Sequence, residues 1–145
     1  MTFDPALIAL AKARAANAGI DPTLCCAICE QESAWNPWAI RDEPAFYARY
    51  VAKLHLGTTE AAARAFSWGL MQVMGQVARE HGFSGASLAA LCDPAACLAV
   101  GCRVLAAKLA AAEGNVARAL QLWNGGSNPN YAAAVLTRVA HYRLP

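Results

Sequence analysis

The chain has 145 residues, enough for one compact domain with a substantial core, and is 57% hydrophobic with only 8% aromatic and 15% charged residues. Much of the apolar share is alanine, a strong helix former, so the composition points to an all-α fold. A formal net charge of +2, with 12 scattered basic residues, excludes the concentrated positive face of a nucleic-acid binder.

The N-terminal segment has a short apolar patch before Lys12 and Arg14 and lacks the basic-then-apolar order of a secretory signal. No apolar run approaches the roughly 20 residues of a membrane span. The expectation is a chain made in the cytoplasm, which needs a separate route to any substrate beyond the inner membrane. Asp4 caps a first helix, with Pro5 at its first position and Gly19 as its stop. Asp21 and Pro22 repeat that start, and Pro37 forbids continuation of the second helix past Trp35 or Asn36. Phe46, Tyr47, Tyr50, Val51 and Leu54 fall at helical spacing, and "TTEAAARAF" follows after Gly57. "GLMQVMGQVAREHG" predicts a further helix ending at Gly82. Asp93 caps a longer one, and "NVARALQLWNGG" and "NPNYAAAVLTRVAHYRL" close the chain on either side of the Gly125-Gly126 turn. No strand pattern, repeat or linker is visible, which predicts a single domain over residues 1–145 with seven to eight helices.

The six cysteines, Cys25, Cys26, Cys29, Cys92, Cys97 and Cys102, stand on predicted helices and read as small buried hydrophobes. Zinc held by Cys26-x-x-Cys29 and the later three is the alternative. His55, His81 and His141 are isolated and give it no support. No metal or other cofactor is expected.

The second helix ends in "AICEQESAWNPW", with two carboxylates two positions apart. At about 100° per residue, Glu30 and Glu32 point to nearly opposite sides. Glu32 continues the side of Leu24, Cys25, Ile28 and Cys29, whereas Glu30 shares its side with Thr23, Cys26 and Ala27. Glu32 therefore extends an apolar stripe at the negative end of the helix dipole. Both effects favour its protonated form, the property a general acid for glycoside cleavage needs.

"ESAWNPWAI", "SWGLMQVM", "LWNGG" and a final helix bearing a tyrosine occur in that order. Together they resemble the soluble lytic transglycosylases, relatives of the goose-type lysozymes that act on bacterial peptidoglycan. The resemblance spans residues 20 to 143. It implies a lysozyme-like all-α domain with a glycan cleft, Glu32 as the acid/base and Ser33 as its helix-end partner. By the same resemblance Ser67, Gly69, Leu70, Met71 and Gln72 line the sugar cleft. Gly69 would let a glycan approach the backbone, Leu70 and Met71 would offer apolar surface, and Gln72 would offer a donor and an acceptor. Val73 and Met74 read as core. Asn124 would bind an acetamido group, and Tyr131 would approach the Glu32 carboxyl.

Two departures stand out. The family commonly carries tyrosine before the asparagine, and Trp123 removes that phenol's hydrogen bond while keeping a stacking surface. In addition, "IRDEPAFYARYVAKLHLGTTEAAARAF" lengthens the run to Gly-Leu-Met-Gln and resembles phage-encoded members. This segment carries Asp42 and Glu43, with Arg41 and Arg49 nearby. The resemblance implies a single-acid route to 1,6-anhydromuramyl ends, and Glu43 is expected to line the cleft as an orienting or ion-paired group, with Arg41 or Arg49 as its partner. A second carboxylate positioning water would make a hydrolase instead. A non-catalytic wall-binding part of a phage tail or secretion apparatus is the competing class. The remaining expectations are a monomer whose partner is the glycan strand, without nucleic acid or a membrane span. It would act in the periplasm as an endolysin, after holin release or virion delivery.

Overall fold

A computed structural model describes residues 2–143. It is mostly helical: α1 (Pro5–Asn17), α2 (Pro22–Ser33), α3 (Pro44–Phe46), α4 (Thr58–Arg64), α5 (Gly75–Glu80), α6 (Pro94–Ala111), α7 (Val116–Asn124) and α8 (Tyr131–Val139). The predicted starts of α1, α2 and α6 are where the sequence puts them. Asp4, Asp21 and Asp93 each accept a backbone N–H in the first turn, which satisfies one of the donors a helix start leaves free.

α2 packs against α1 and α8, and α6 against α1 and α7. Six consecutive residues of α2, Leu24 to Cys29, are buried, so this helix is covered on all sides. The side that Glu30 shares with Cys26 and Ala27 is consequently core, as is the apolar stripe that leads to Glu32. α6 spans 18 residues and is apolar enough by length and composition to cross a membrane. Its apolar residues have a different use here: Cys97, Leu98, Val100, Gly101, Cys102, Val104 and Leu105 fill the centre of the core.

The all-α expectation is amended first by a small antiparallel sheet of three strands in the order β1 (Ile40–Asp42), β2 (Phe66–Trp68) and β3 (Val73–Met74). Strands of two or three residues are too short to show alternation in a sequence. Their register pairs Ile40 with Trp68, Arg41 with Ser67 and Asp42 with Phe66. A second amendment concerns the helix expected from Gly69. Residues 69–72 form a turn instead, with Gly69 at φ 68° and Gln72 at φ 50°, and α5 begins only at Gly75. The inserted segment between α2 and β2 is helical as expected but irregular, with α3 widening into a π-turn at Tyr47–Val51 and a tight 3-10 turn at Ala52–Leu54.

Five of the six cysteines are buried and Cys92 is half-buried; all six are free thiols. Burial pushes the Cys26 and Cys97 thiols up to about 11 each, so they pack as protonated side chains. No group of three or more His, Cys, Asp or Glu converges among the described residues.

Candidate active site

Glu30 and Glu32 leave the last turns of α2 toward different neighbours. Glu30 accepts from the Tyr142 hydroxyl at 2.5 Å and lies 3.1 Å from His141 Nδ1 and 3.6 Å from Arg138 Nε. Its side chain is only 13% exposed, so a mostly covered carboxylate ties α2 to residues 138–142, with His141 on the solvent side at 57% exposed. Trp35 extends this contact by donating its indole N–H to the Tyr142 hydroxyl at 2.8 Å. Ala34 and Trp35 both take left-handed backbone, at φ 48° and 63°, to turn the chain away from α2. The Tyr142 bond and the burial of Trp35 hold this uncommon conformation in place.

Glu32 meets neutral donors instead. The Tyr131 hydroxyl donates to Oε1, and the Trp123 indole N–H donates to the same oxygen at 3.2 Å. Burial drives its pKa above the ordinary glutamate value, while the Tyr131 and Trp123 hydrogen bonds and the charge of Arg41 pull it partly back. Burial and the neighbouring carboxylate also raise the Tyr131 phenol, so Tyr131 stays a donor rather than becoming an anion. The result is a partly buried carboxyl that favours its proton yet has two donors ready for the charge left when the proton goes. This is the electrostatic arrangement a general acid/base requires.

Trp123 corrects the sequence reading directly. Replacing a phenol by an indole does not remove the hydrogen bond, because the ring N–H reaches Glu32 from the last turn of α7. Asn124 ends that helix half-buried, and its amide nitrogen lies 3.5 Å from both the Ser127 hydroxyl and the Asn128 carbonyl. Those contacts are long, which leaves its amide open to another partner.

The Gly-Leu-Met-Gln turn supports the site from behind rather than paving the cleft. Leu70 and Met71 have no exposed surface, and Met71 seats its sulfur against Gly101 of α6, where an added Cβ would lie 2.3 Å away. The expectation of an apolar sugar-facing surface at Leu70 and Met71 therefore fails: both are core. Gly69 is also buried, and a Cβ there would meet the Leu91 carbonyl at 2.3 Å, so glycine is required by internal packing and by its positive φ rather than by an approaching glycan. Ser67 is 6% exposed, and its hydroxyl donates to Gln72 Oε1 at 2.8 Å, which withdraws it from the cleft surface. Gln72 gives its amide nitrogen to the Ala39 and Gly69 carbonyls, both at 2.9 Å. It clasps β1 to the turn, with only spare acceptor capacity on its oxygen left for a ligand. Ser33 completes the support, its hydroxyl lying 2.9 Å from the Leu70 carbonyl and 3.0 Å from that of Cys29. With one proton it donates to one carbonyl at a time, tying the end of α2 to the turn.

Glu43 is ion-paired, Arg41 Nε lying 2.7 Å from its Oε1. Arg41 itself went unassigned in the sequence beyond its partnership with Glu43. Its charge acts on Glu32 as well, and only pairing of β1 with β2 brings it there.

The profile of the transglycosylase SLT domain matches residues 9–137, which include α2, the Gly-Leu-Met-Gln turn, Trp123 and Tyr131. No curated protein and no solved structure matches the chain. The family match covers most of the sequence and contains the whole buried-carboxyl arrangement, so the chain belongs to the transglycosylase SLT domain family and is a peptidoglycan lytic transglycosylase, an enzyme of glycosidase type.

Proposed function

We propose that this enzyme cleaves the β-1,4 bond between N-acetylmuramic acid and N-acetylglucosamine, with Glu32 as its single acid/base. The observation that carries the reading is the carboxyl of Glu32, raised by burial and held by two neutral donors. Protonated Glu32 gives its proton to the glycosidic oxygen as the bond to the muramic anomeric carbon breaks. The substrate's acetamido oxygen stabilises the oxocarbenium-like centre. The Glu32 carboxylate then takes the proton of the muramic 6-hydroxyl as that oxygen closes on the anomeric carbon, giving a 1,6-anhydro end and restoring the acid. Tyr131 and Trp123 hold the carboxylate between the two transfers. Asn124, with its weakly engaged amide, binds the acetamido group.

The surroundings of the other acids support a one-carboxylate route. Glu43 is tied to Arg41, and Asp42, one residue along the strand, leaves β1 on the opposite face. Mass spectrometry of digested muropeptides tests the route: anhydro ends are expected from the wild type, and reducing ends would overturn it. Glu32→Gln keeps the shape but removes the transferable proton, and should lower turnover at least about a hundredfold. Near-normal turnover by folded Glu32→Gln would sink the assignment.

The inserted α3–α4 segment supports a phage-encoded setting, with action on the periplasmic face of the wall after holin release or virion delivery. Expression alone should leave host cells intact, and co-expression of a pore-forming holin should lyse them. Lysis without the holin would contradict release through that pore.

A further inference from the structure

The β1–β2 ribbon has two faces, and only one belongs to the site above. Side chains alternate along a strand, and directly paired residues share a face. Arg41 and Ser67 form one pair and Asp42 and Phe66 the next, so they lie on opposite faces. On the Asp42 side lies an open groove of about 360 Å³, lined by Asp42, Tyr47, Thr58, Ala62, Ala65 and Phe66. This is within the size range of small-ligand sites. Its floor is apolar, from Ala62, Ala65 and Phe66, and Tyr47 is 39% exposed at its edge. Asp42 is the charged residue of the lining, and among the described residues it makes no ion pair, although Arg41 beside it is paired with Glu43.

We infer that this groove binds the amine-bearing arm of a peptidoglycan stem peptide. The inference rests on peptidoglycan as substrate and adds a second recognition element to it. An unpaired carboxylate over an apolar floor suits a primary amine carried on an aliphatic chain. The diamino residue of a stem peptide offers that combination. The groove adjoins the Glu32 site, because Arg41, whose charge acts on Glu32, precedes Asp42 in the same strand, and three extended stem residues span about 10 Å. A stem branching from a muramic unit in the Glu32 cleft can therefore cross the ribbon edge into the groove. Tyr47 and Thr58 add hydroxyl groups for the peptide backbone.

The test compares kcat/KM on three forms of the same glycan strands: with stems, with stems whose amines have been N-acetylated, and stripped of stems by an amidase. The wild type should prefer the amine-bearing strands by about threefold to fivefold, the scale of an exposed ion pair. N-acetylation should abolish the preference. Asp42→Asn, a surface change, should bring the ratio of amine-bearing to stripped strands close to one, and Ala62→Leu, which fills the groove with a good helix former, should do the same. A wild type without preference, or Asp42→Asn retaining the wild-type ratio, would overturn the inference. Glu32→Gln separates the two readings, because activity of that variant on stripped strands would instead overturn the assignment of the acid.

Discussion

Glu30 and Glu32 differ by one turn direction, and that difference sets what each can do. Glu30 has a hydroxyl, a histidine and an arginine around it, so removing its charge should loosen the contact of α2 with the C-terminal helix. Glu30→Gln should cost about 1.5 kcal/mol or more by chemical denaturation, with turnover per folded molecule close to wild type. Glu32 is the opposite case. Its pKa is raised in the folded state, so its favourable contribution is fully present below the unfolded value and is lost as pH rises through the folded one. Glu32→Gln should therefore melt above wild type at neutral pH, and the gain should vanish once the pH falls below the ordinary glutamate value. Trp123→Phe removes a donor to the carboxylate. The pKa of Glu32 should rise further, and the basic limb of the kcat/KM profile should move to higher pH, with a loss of turnover of about tenfold. An unmoved limb would show that the indole does not tune the acid.

At the scale of elements, the turn at residues 69–72 holds the end of α2 against the sheet. Ser33 reaches Leu70, Gln72 reaches Ala39, and the Gly69 N–H donates to the same Ala39 carbonyl at 2.7 Å. Gly69→Ala forces a Cβ against the Leu91 carbonyl in a backbone region that alanine avoids. It should cost more than about 2 kcal/mol and lower activity by displacing Ser33's partner, both measurable on the purified variant. This turn was not legible as a turn from its residues. Leu70, Met71, Val73 and Met74 keep helical spacing, and the signal that would have broken it is Gly69 alone, which helix interiors tolerate. The pairing of β2 with β3 closes the turn, and the pairing of β2 with β1 decides the matter, because it supplies partners from a distant chain segment.

For the molecule as a whole, α6 and the cysteine-rich α2 form a buried centre. Cys25 and Cys102 bring their sulfurs to 3.8 Å across these helices as thiols. Since these groups stabilise by packing, a chelator and a reductant should each leave the melting temperature unchanged within about a degree, whereas loss of a structural metal would lower it severely. A large drop with chelator would establish the zinc site.

What the sequence determined by itself was local or patterned. The Asp-Pro starts of α1, α2 and α6 were readable because a cap needs only residues within its own turn. The order of the four motifs carried the family, and helical geometry separated Glu30 from Glu32. Tertiary structure decided everything that depends on what lies opposite. It turned Leu70 and Met71 into core, spent Gln72 and Ser67 on internal hydrogen bonds, and gave Glu30 its partners Arg138 and Tyr142. It also brought the Trp123 N–H to Glu32 across 91 residues of chain. The physical reason is common to all of these: burial and hydrogen-bond partnership are properties of pairs, and the second member of each pair is set by packing between elements rather than by the residue's own neighbours in the chain.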